Sequence, residues 1–227
     1  MHRTFKALWA EYRGLLAFIG LMLLFRSAVA DWNYVPSSSM NPTLVAGDRV
    51  VVNKLAYSLR VPFTLHELVR WDSPAPGDVI TFDSPADDVN LIKRVVAVGG
   101  DTVAMVDNVL VVNGRPAPRH LMEARRVLPT EAGPLAAEIW REQIGAVTVD
   151  VARLPERNVV SAFAPVRVPD GHVMVLGDSR DNSNDSRFIG FIDVRRVTGR
   201  AVRVALSHNP DAWYLPRADR WWLPLQL

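Results

Sequence analysis

Three serines in a row, Ser37-Ser38-Ser39, stand between Pro36 and Pro42. Neither proline has a backbone donor, and each biases the residue before it towards extended conformations, so the stretch Val35–Leu44 is not helical. A serine hydroxyl held in such a stretch is a candidate nucleophile, provided a neighbouring group takes its proton. The competing interpretation is a serine-rich linker between an apolar segment and a folded domain, which carries no chemistry.

The base must be neutral at working pH. Five histidines (His2, His66, His120, His172 and His208) are scattered through the chain, and none is marked out by its setting or spaced as a metal ligand. A lysine serves when burial disfavours its ammonium form. Lys93 lies in Asn90-Leu-Ile-Lys-Arg-Val-Val-Ala-Val98, the strongest strand signal in the chain, closed by Gly99-Gly100-Asp101. Alternation puts Leu91, Lys93 and Val95 on one face and Ile92, Arg94 and Val96 on the other. The alternative is that Lys93 and Arg94 are solvent-facing charges of an edge strand.

A third stretch, Gly177-Asp-Ser-Arg-Asp-Asn-Ser-Asn-Asp-Ser-Arg187, is a dense polar loop following the apolar run Val173–Leu176. Asp181, Asp185, Arg180 and Arg187 can pair and stiffen it, and Ser183 can hydrogen-bond an amine. Its Asp-Asn-Ser-Asn-Asp run resembles the start of a calcium loop, yet it lacks the glycine at the sixth position and the glutamate at the twelfth. Neither a metal nor an organic cofactor is expected.

The elements that must position these groups read as β structure. Arg49–Asn53, Val79–Phe82, Asn90–Val98, Val173–Leu176 and Val197–Leu206 read as strands, and Asp107-Asn108 reads as the turn of a hairpin joining Thr102–Met105 to Val109–Val112. The fold class predicted is mainly β, an antiparallel catalytic domain formed by residues 31–114 and 169–206. Residues 115–168, rich in proline, arginine and alanine, read as an inserted satellite subdomain with one helix around Leu135–Gln143 and no visible chemistry. Residues 207–227 form an aromatic tail, either lying at a lipid interface or packed on its own domain.

Composition limits the function classes. The chain of 227 residues is 49% apolar and 22% charged, with a net charge of +2 and scattered basic residues, which gives no footprint for nucleic acid. The absence of cysteine excludes a disulfide scaffold, a thiolate zinc site and a cysteine nucleophile. At the N-terminus, Arg3, Lys6 and Arg13 precede the uninterrupted apolar run Gly14–Phe25, and Arg26 and Ser-Ala-Val-Ala30 follow it. Residues 14–30 are predicted to be a transmembrane anchor, with residues 1–13 in the cytoplasm and everything after Asp31 across the membrane. A secretory signal peptide cut before Asp31 is the rival reading.

Taken together, Val35–Leu44, Gly77-Asp-Val-Ile-Thr-Phe82, Ile92-Lys-Arg-Val95 with Gly99-Gly-Asp101, and Gly177–Arg187 resemble the bacterial type I signal peptidases, with all four stretches in the family's order. The resemblance runs from about Arg26 to Ile192. It implies a serine endopeptidase of the Ser-Lys dyad type, with Ser39 as nucleophile and Lys93 as general base. By the same resemblance Ser37 helps form the oxyanion hole, Ser183 orients the lysine amine, and Asp185 and Arg187 form a supporting ion pair. Val35, Pro36, Met40, Leu44, Leu91 and Ile92 would line small apolar substrate pockets. The implied partners are signal-peptide-bearing preproteins, membrane lipid and the neighbourhood of the export translocon. The implied location is the bacterial inner membrane, single-pass, with the catalytic domain on the periplasmic side. Ser38 stands where glycine is common and Ser179 where asparagine is usual, and Ser38 is a rival nucleophile beside Ser39. A self-cleaving cytoplasmic repressor would share the dyad but needs a helix-turn-helix in place of the apolar run. A non-catalytic anchored β domain that binds export partners is the non-enzymatic alternative. Ala28-Val29-Ala30 itself matches the cleavage signature, so self-processing before Asp31 is a further expectation.

Overall fold

The apolar N-terminal run forms a helix, and the β-branched runs between turn residues pair into sheets. The computed structural model describes residues 5–64, 66–157, 160–210 and 212–225. His2 and Arg3 of the basic start and the last two residues of the tail lie outside the described residues. Helix α1 (Phe5–Ala28) leads into β1 (Ala30–Tyr34), which pairs antiparallel with β2 (Asp48–Asn53). The serine segment is the connection between them. Two short strands, β3 (Ser58–Arg60) and β4 (Glu67–Arg70), pair with each other, and β5 (Val79–Asp83) and β6 (Asn90–Val98) form the hairpin that carries Lys93.

The strands β7 (Thr102–Val106), β8 (Val109–Val112) and β9 (Arg115–Pro116) then form a meander. Asp107 and Asn108 turn it with φ of 49° and 60°, the left-handed pair that a two-residue hairpin turn requires. Long strands β10 (Arg119–Thr130), β11 (Gly133–Ile144) and β12 (Val147–Arg153) form a separate three-stranded sheet. Strand β13 (Phe163–Arg167) returns to β7, β14 (His172–Leu176) pairs with β6, and one helical turn α2 (Ser186–Ile189) precedes β15 (Ile192–Asp193). The long strand β16 (Val197–Asn209) pairs with both β2 and β5 and closes the main sheet in the order β1-β2-β16-β5-β6-β14-β15.

The helix expected around Leu135–Gln143 is strand β11. Its alanine, leucine and glutamate favour helix in isolation, but β10 and β12 take up both backbone edges, and Ala137, Ile139 and Ile144 are buried. Tertiary pairing overrides a propensity of a few tenths of a kcal/mol per residue. In the tail, β17 (Leu215–Pro216) and β18 (Leu223–Pro224) pair back onto β16, so this segment is packed on the fold while Trp213, Tyr214, Trp221 and Trp222 stay exposed.

No described helix is long and apolar enough to cross a membrane. The predicted anchor at 14–30 falls on α1, which ends at Ala28, and Ala30 already belongs to β1. Glu11 and Arg13 lie before the apolar run, and Arg26, bonded to Asp31 at 2.8 Å and stacked 4.7 Å from the Trp32 ring, ends it. The Ala30–Asp31 bond lies in a ladder, with Ala30 opposite Asn53 and Asp31 opposite Val52.

The core around the site lies on both faces of β6, with β5 adding to one of them. Ile80, Phe82, Val95, Val175 and Ile192 pack on one side, and Val96, Met105, Ile144, Val151 and Met174 on the other. Each such fully buried side chain contributes about 1.5–3 kcal/mol relative to exposure. A third cluster, Val35, Met40, Leu44, Val50, Val79 and Val204, roots the serine segment.

Candidate active site

The serine segment is fastened at both ends. The Val35 N–H donates to the Asp48 carbonyl at 2.9 Å, and Gly47 N–H donates to the Val35 carbonyl at 2.9 Å, closing the loop on itself. Within it, Asn41 N–H reaches the Ser38 carbonyl at 3.0 Å and Leu44 N–H the Met40 carbonyl at 2.9 Å. Met40 and Leu44, with 0% exposure, act as apolar pegs. The Ser39 carbonyl accepts from Ser179 N–H at 3.1 Å, which ties the segment to the polar loop.

Against this frame Lys93 Nζ lies 2.8 Å from Ser39 Oγ and 3.0 Å from the Ile92 carbonyl. Lys93 is 3% exposed. Burial brings its pKa down from 10.5 to about 8, although Asp185, Asp178 and Glu131 pull the other way. A neutral amine can donate to Ile92 and accept the Ser39 hydroxyl proton, so the pair can generate an alkoxide. Ser37 Oγ lies 3.2 Å from Ser39 Oγ, and among the described residues the Ser39 N–H has no partner. A hydroxyl and an amide donor are therefore available beside the nucleophile.

Arg94, the neighbour of Lys93, leaves the strand on the other side. Its guanidinium makes a two-pronged pair with Asp178 at 2.8 and 2.7 Å and donates to the Gly77 carbonyl at 2.8 Å, all buried. Both charges of the Lys-Arg pair are thus interior, not the edge-strand charges of the alternative reading.

The polar loop supports the site from below. Asp185 accepts from Arg187 Nε and Nη2 at 2.8 Å each and from Gly177 N–H at 3.0 Å, and Asp185 and Arg187 have 0% side-chain exposure. The other two charges expected to pair within the loop do not. Arg180 crosses to Glu142 of β11 at 2.7 and 3.1 Å, and Asp181 accepts from Leu154 N–H at 2.8 Å and from Asn108 at 3.2 Å. Arg180 thus reaches into the β10–β12 sheet, and Asp181 bonds the chain just beyond β12 and the β7–β8 turn.

Ser183, expected to orient the lysine amine, has a buried Oγ with no hydrogen-bond partner, and the amine's second contact is the Ile92 carbonyl instead. Ser183 packs against Gly177. A Cβ on Gly177 would meet Ser183 Oγ at 2.3 Å and the Ser39 carbonyl at 2.4 Å, so only glycine fits between the Ser183 side chain and the Ser39 backbone. Of the expected pocket residues, Val35, Met40 and Leu44 are packed in the core. Pro36 is exposed, and Leu91 and Ile92 keep part of their surface.

Four residues of the site are not visible in the sequence reading. Asp178 and Glu142 hold the buried arginines. Glu131, in the turn between β10 and β11, accepts from Ser38 N–H at 2.7 Å and from Ser38 Oγ at 2.8 Å. Asn182 donates to Ser38 Oγ at 2.6 Å and to Glu131 at 3.0 Å.

Signal peptidase I of Pseudomonas fluorescens is 34% identical over 213 residues, covering 88% of this chain and 73% of that protein. The Pseudomonas aeruginosa and Aquifex aeolicus signal peptidases I are 32% and 31% identical, covering 88% and 82% of this chain and 73% and 79% of their own. A solved signal peptidase I from Enterococcus faecalis is 26% identical, covers 57% of this chain and 97% of its own, and superposes with a TM-score of 0.35, so the assignment rests on the sequence relatives. The family model described as "Signal peptidase, peptidase S26" matches residues 9–206, and the chain belongs to that family of serine peptidases.

Proposed function

We propose that this chain removes N-terminal signal peptides from exported preproteins, cutting after Ala-x-Ala with Ser39 as nucleophile and Lys93 as base. The observation that carries the reading is the 2.8 Å contact between Lys93 Nζ and Ser39 Oγ, made by a lysine that burial brings to about 8. Neutral Lys93 takes the Ser39 proton as Oγ attacks the carbonyl of the residue before the scissile bond. Ser37 Oγ and the Ser39 N–H donate to the oxyanion, a contribution of about 2.7–4 kcal/mol per donor in comparable sites. Protonated Lys93 then gives its proton to the leaving amine, and water, deprotonated by the same lysine, releases the acyl group.

The substrate strand has a place to add. Strand β14 pairs with β6 only as far as Arg94, and β5 holds the other edge of Leu91–Lys93, so the outer edge there is unpaired among the described strands. An extended segment laid along it would meet the partly exposed Leu91 and Ile92, the apolar side chains that would contact the substrate's small residues in this reading. Ser183 and the Asp185–Arg187 pair hold the loop behind Ser39 in this reading.

We further propose that α1 anchors the chain in the inner membrane, single-pass, with the N-terminus in the cytoplasm and the catalytic domain on the periplasmic side near the translocon. Support comes from the helix's uncovered apolar surface. Leu15, Phe18, Leu21 and Phe25 are each more than half exposed. Trp32 and Tyr34 on the adjoining β1 are exposed as well, the residue types that favour the headgroup zone.

The test is cleavage of a preprotein carrying Ala-x-Ala in detergent by wild type, Ser39→Ala, Lys93→Ala and Ser38→Ala. The first two variants should remain folded and lose cleavage. Ser38→Ala keeps its backbone N–H and should retain measurable activity. Cleavage by Ser39→Ala would overturn the assignment.

A further inference from the structure

The β10–β12 sheet is joined to the catalytic loop at more points than a satellite needs. Ala152 N–H donates to the Asp178 carbonyl at 2.8 Å, Arg180 N–H donates to the Ala152 carbonyl at 2.9 Å, and Arg180 is paired with Glu142. At the far end of the same sheet the β10–β11 turn reaches the serine segment itself. Asn41 Nδ2 donates to the Pro129 carbonyl at 3.0 Å, and two residues later the Glu131 carboxylate takes both the N–H and the hydroxyl of Ser38. Thr130 Oγ1 donates to the Gly133 carbonyl at 2.6 Å, and Gly133 has φ of 101°, so the turn that presents Glu131 is itself fixed.

Ser38 is the residue between Ser37 and Ser39. Its N–H is held by one carboxylate oxygen and its hydroxyl by the other, with Asn182 closing the group from the catalytic loop. This grip fixes the peptide plane before Ser38 and its side chain, and the Asn41 N–H on the Ser38 carbonyl at 3.0 Å holds the plane after it. One of those planes sets the direction of the Ser39 N–H, and both set the separation of the Ser37 and Ser39 hydroxyls. It also occupies the rival hydroxyl, leaving Ser39 alone facing Lys93.

We propose that Glu131 is a positioning residue for the reaction: from the tip of the β10–β11 hairpin it clamps Ser38, aims Ser39 and its amide, and adds a negative charge to the surroundings of Lys93. The inference rests on the Ser39–Lys93 reading. Glu131 is suited to this role because it stays ionised. Burial alone would raise its pKa, but the hydrogen bonds from Ser38 and Asn182 bring it down to about 2. The charged groups around Lys93 are Asp185, which is paired with Arg187, Asp178, which is paired with Arg94, and Glu131, which has no cationic partner among the described residues.

Two variants separate aiming from charge. Glu131→Gln keeps an acceptor for the Ser38 N–H and loses the charge. Glu131→Ala loses both. With a preprotein substrate, Glu131→Ala should lower kcat by about tenfold or more with KM within about twofold, as expected when alignment is lost and ground-state binding is not. Glu131→Gln should recover most of that kcat. In both variants the acid limb of kcat/KM should move to lower pH by about half a pH unit, because removing a nearby anion makes the lysine easier to deprotonate. A merely structural role would lower the melting temperature of both variants and leave the acid limb where it is in wild type. That result, or a Glu131→Ala enzyme with wild-type kcat, overturns the inference. If Lys93→Ala still cleaves, the dyad reading fails instead, and the two failures are distinct.

Discussion

Replacing Lys93 with methionine should abolish cleavage and stabilise the fold. Lys93 is 3% exposed, and burial brings its pKa from 10.5 to about 8. Below pH 8 the lysine is charged in both the folded and the unfolded chain, and the folded state bears the whole cost of a buried ammonium. The shift corresponds to about 3 kcal/mol against the native state. Between about pH 8 and 10.5 the unfolded chain binds more protons than the folded one, so wild-type stability rises with pH across that window and the cost fades above it. Methionine has a similar length and no charge to desolvate. At pH 7 Lys93→Met should therefore be more stable than wild type by about 3 kcal/mol, or roughly 6–12 °C in Tm for a chain of this size. The gap should shrink to a small fraction of that at pH 10.5. Urea unfolding of both proteins in matched detergent at pH 7, 9 and 10.5 measures it, since other groups titrate alike in the two and cancel. A variant no more stable than wild type at pH 7, or a gap independent of pH, would refute the claim that this lysine is held against its charge.

Two other perturbations test the frame. Glu142→Gln leaves Arg180, 2% exposed, without its carboxylate, and should cost about 3–5 kcal/mol in urea unfolding. Removing both charges with Glu142→Met and Arg180→Met together should recover most of that loss, and a double variant as unstable as the single one would show that the pair is not the source. Gly177→Ala drives a methyl group into the Ser39 carbonyl and Ser183 Oγ, and should cut kcat by about a hundredfold with far-UV circular dichroism unchanged. Wild-type turnover in that variant would mean that the contact can relax without moving the nucleophile.

How much of this was legible depends on the range of the interaction. The choice of Ser39 among three adjacent serines comes only with the family resemblance, whereas Lys93, Asp185 and Arg187 sit in stretches whose own composition draws attention to them. The hairpin at Asp107-Asn108 is legible for the same reason, since its turn type is written in two adjacent residues. Glu131 and Glu142 are not. Their partners Ser38 and Arg180 lie 93 and 38 residues away, and nothing around a glutamate on a strand or turn shows what will fold against it. The helix expected at Leu135–Gln143 fails on the same ground, because β10 and β12, which make it a strand, are outside its window. That error hid the function of the segment. A lysine is lowered towards 8 only if water is kept from it, and the loop behind Lys93 is held shut by Glu142 on Arg180, by the Ala152 backbone on Asp178 and Arg180, and by Leu154 N–H on Asp181. On the proposed Ser39–Lys93 reading, the stretch 115–168 contributes a wall behind the base, and breaking its bonds to the loop should raise the pKa of Lys93 before it costs the main sheet its pairing.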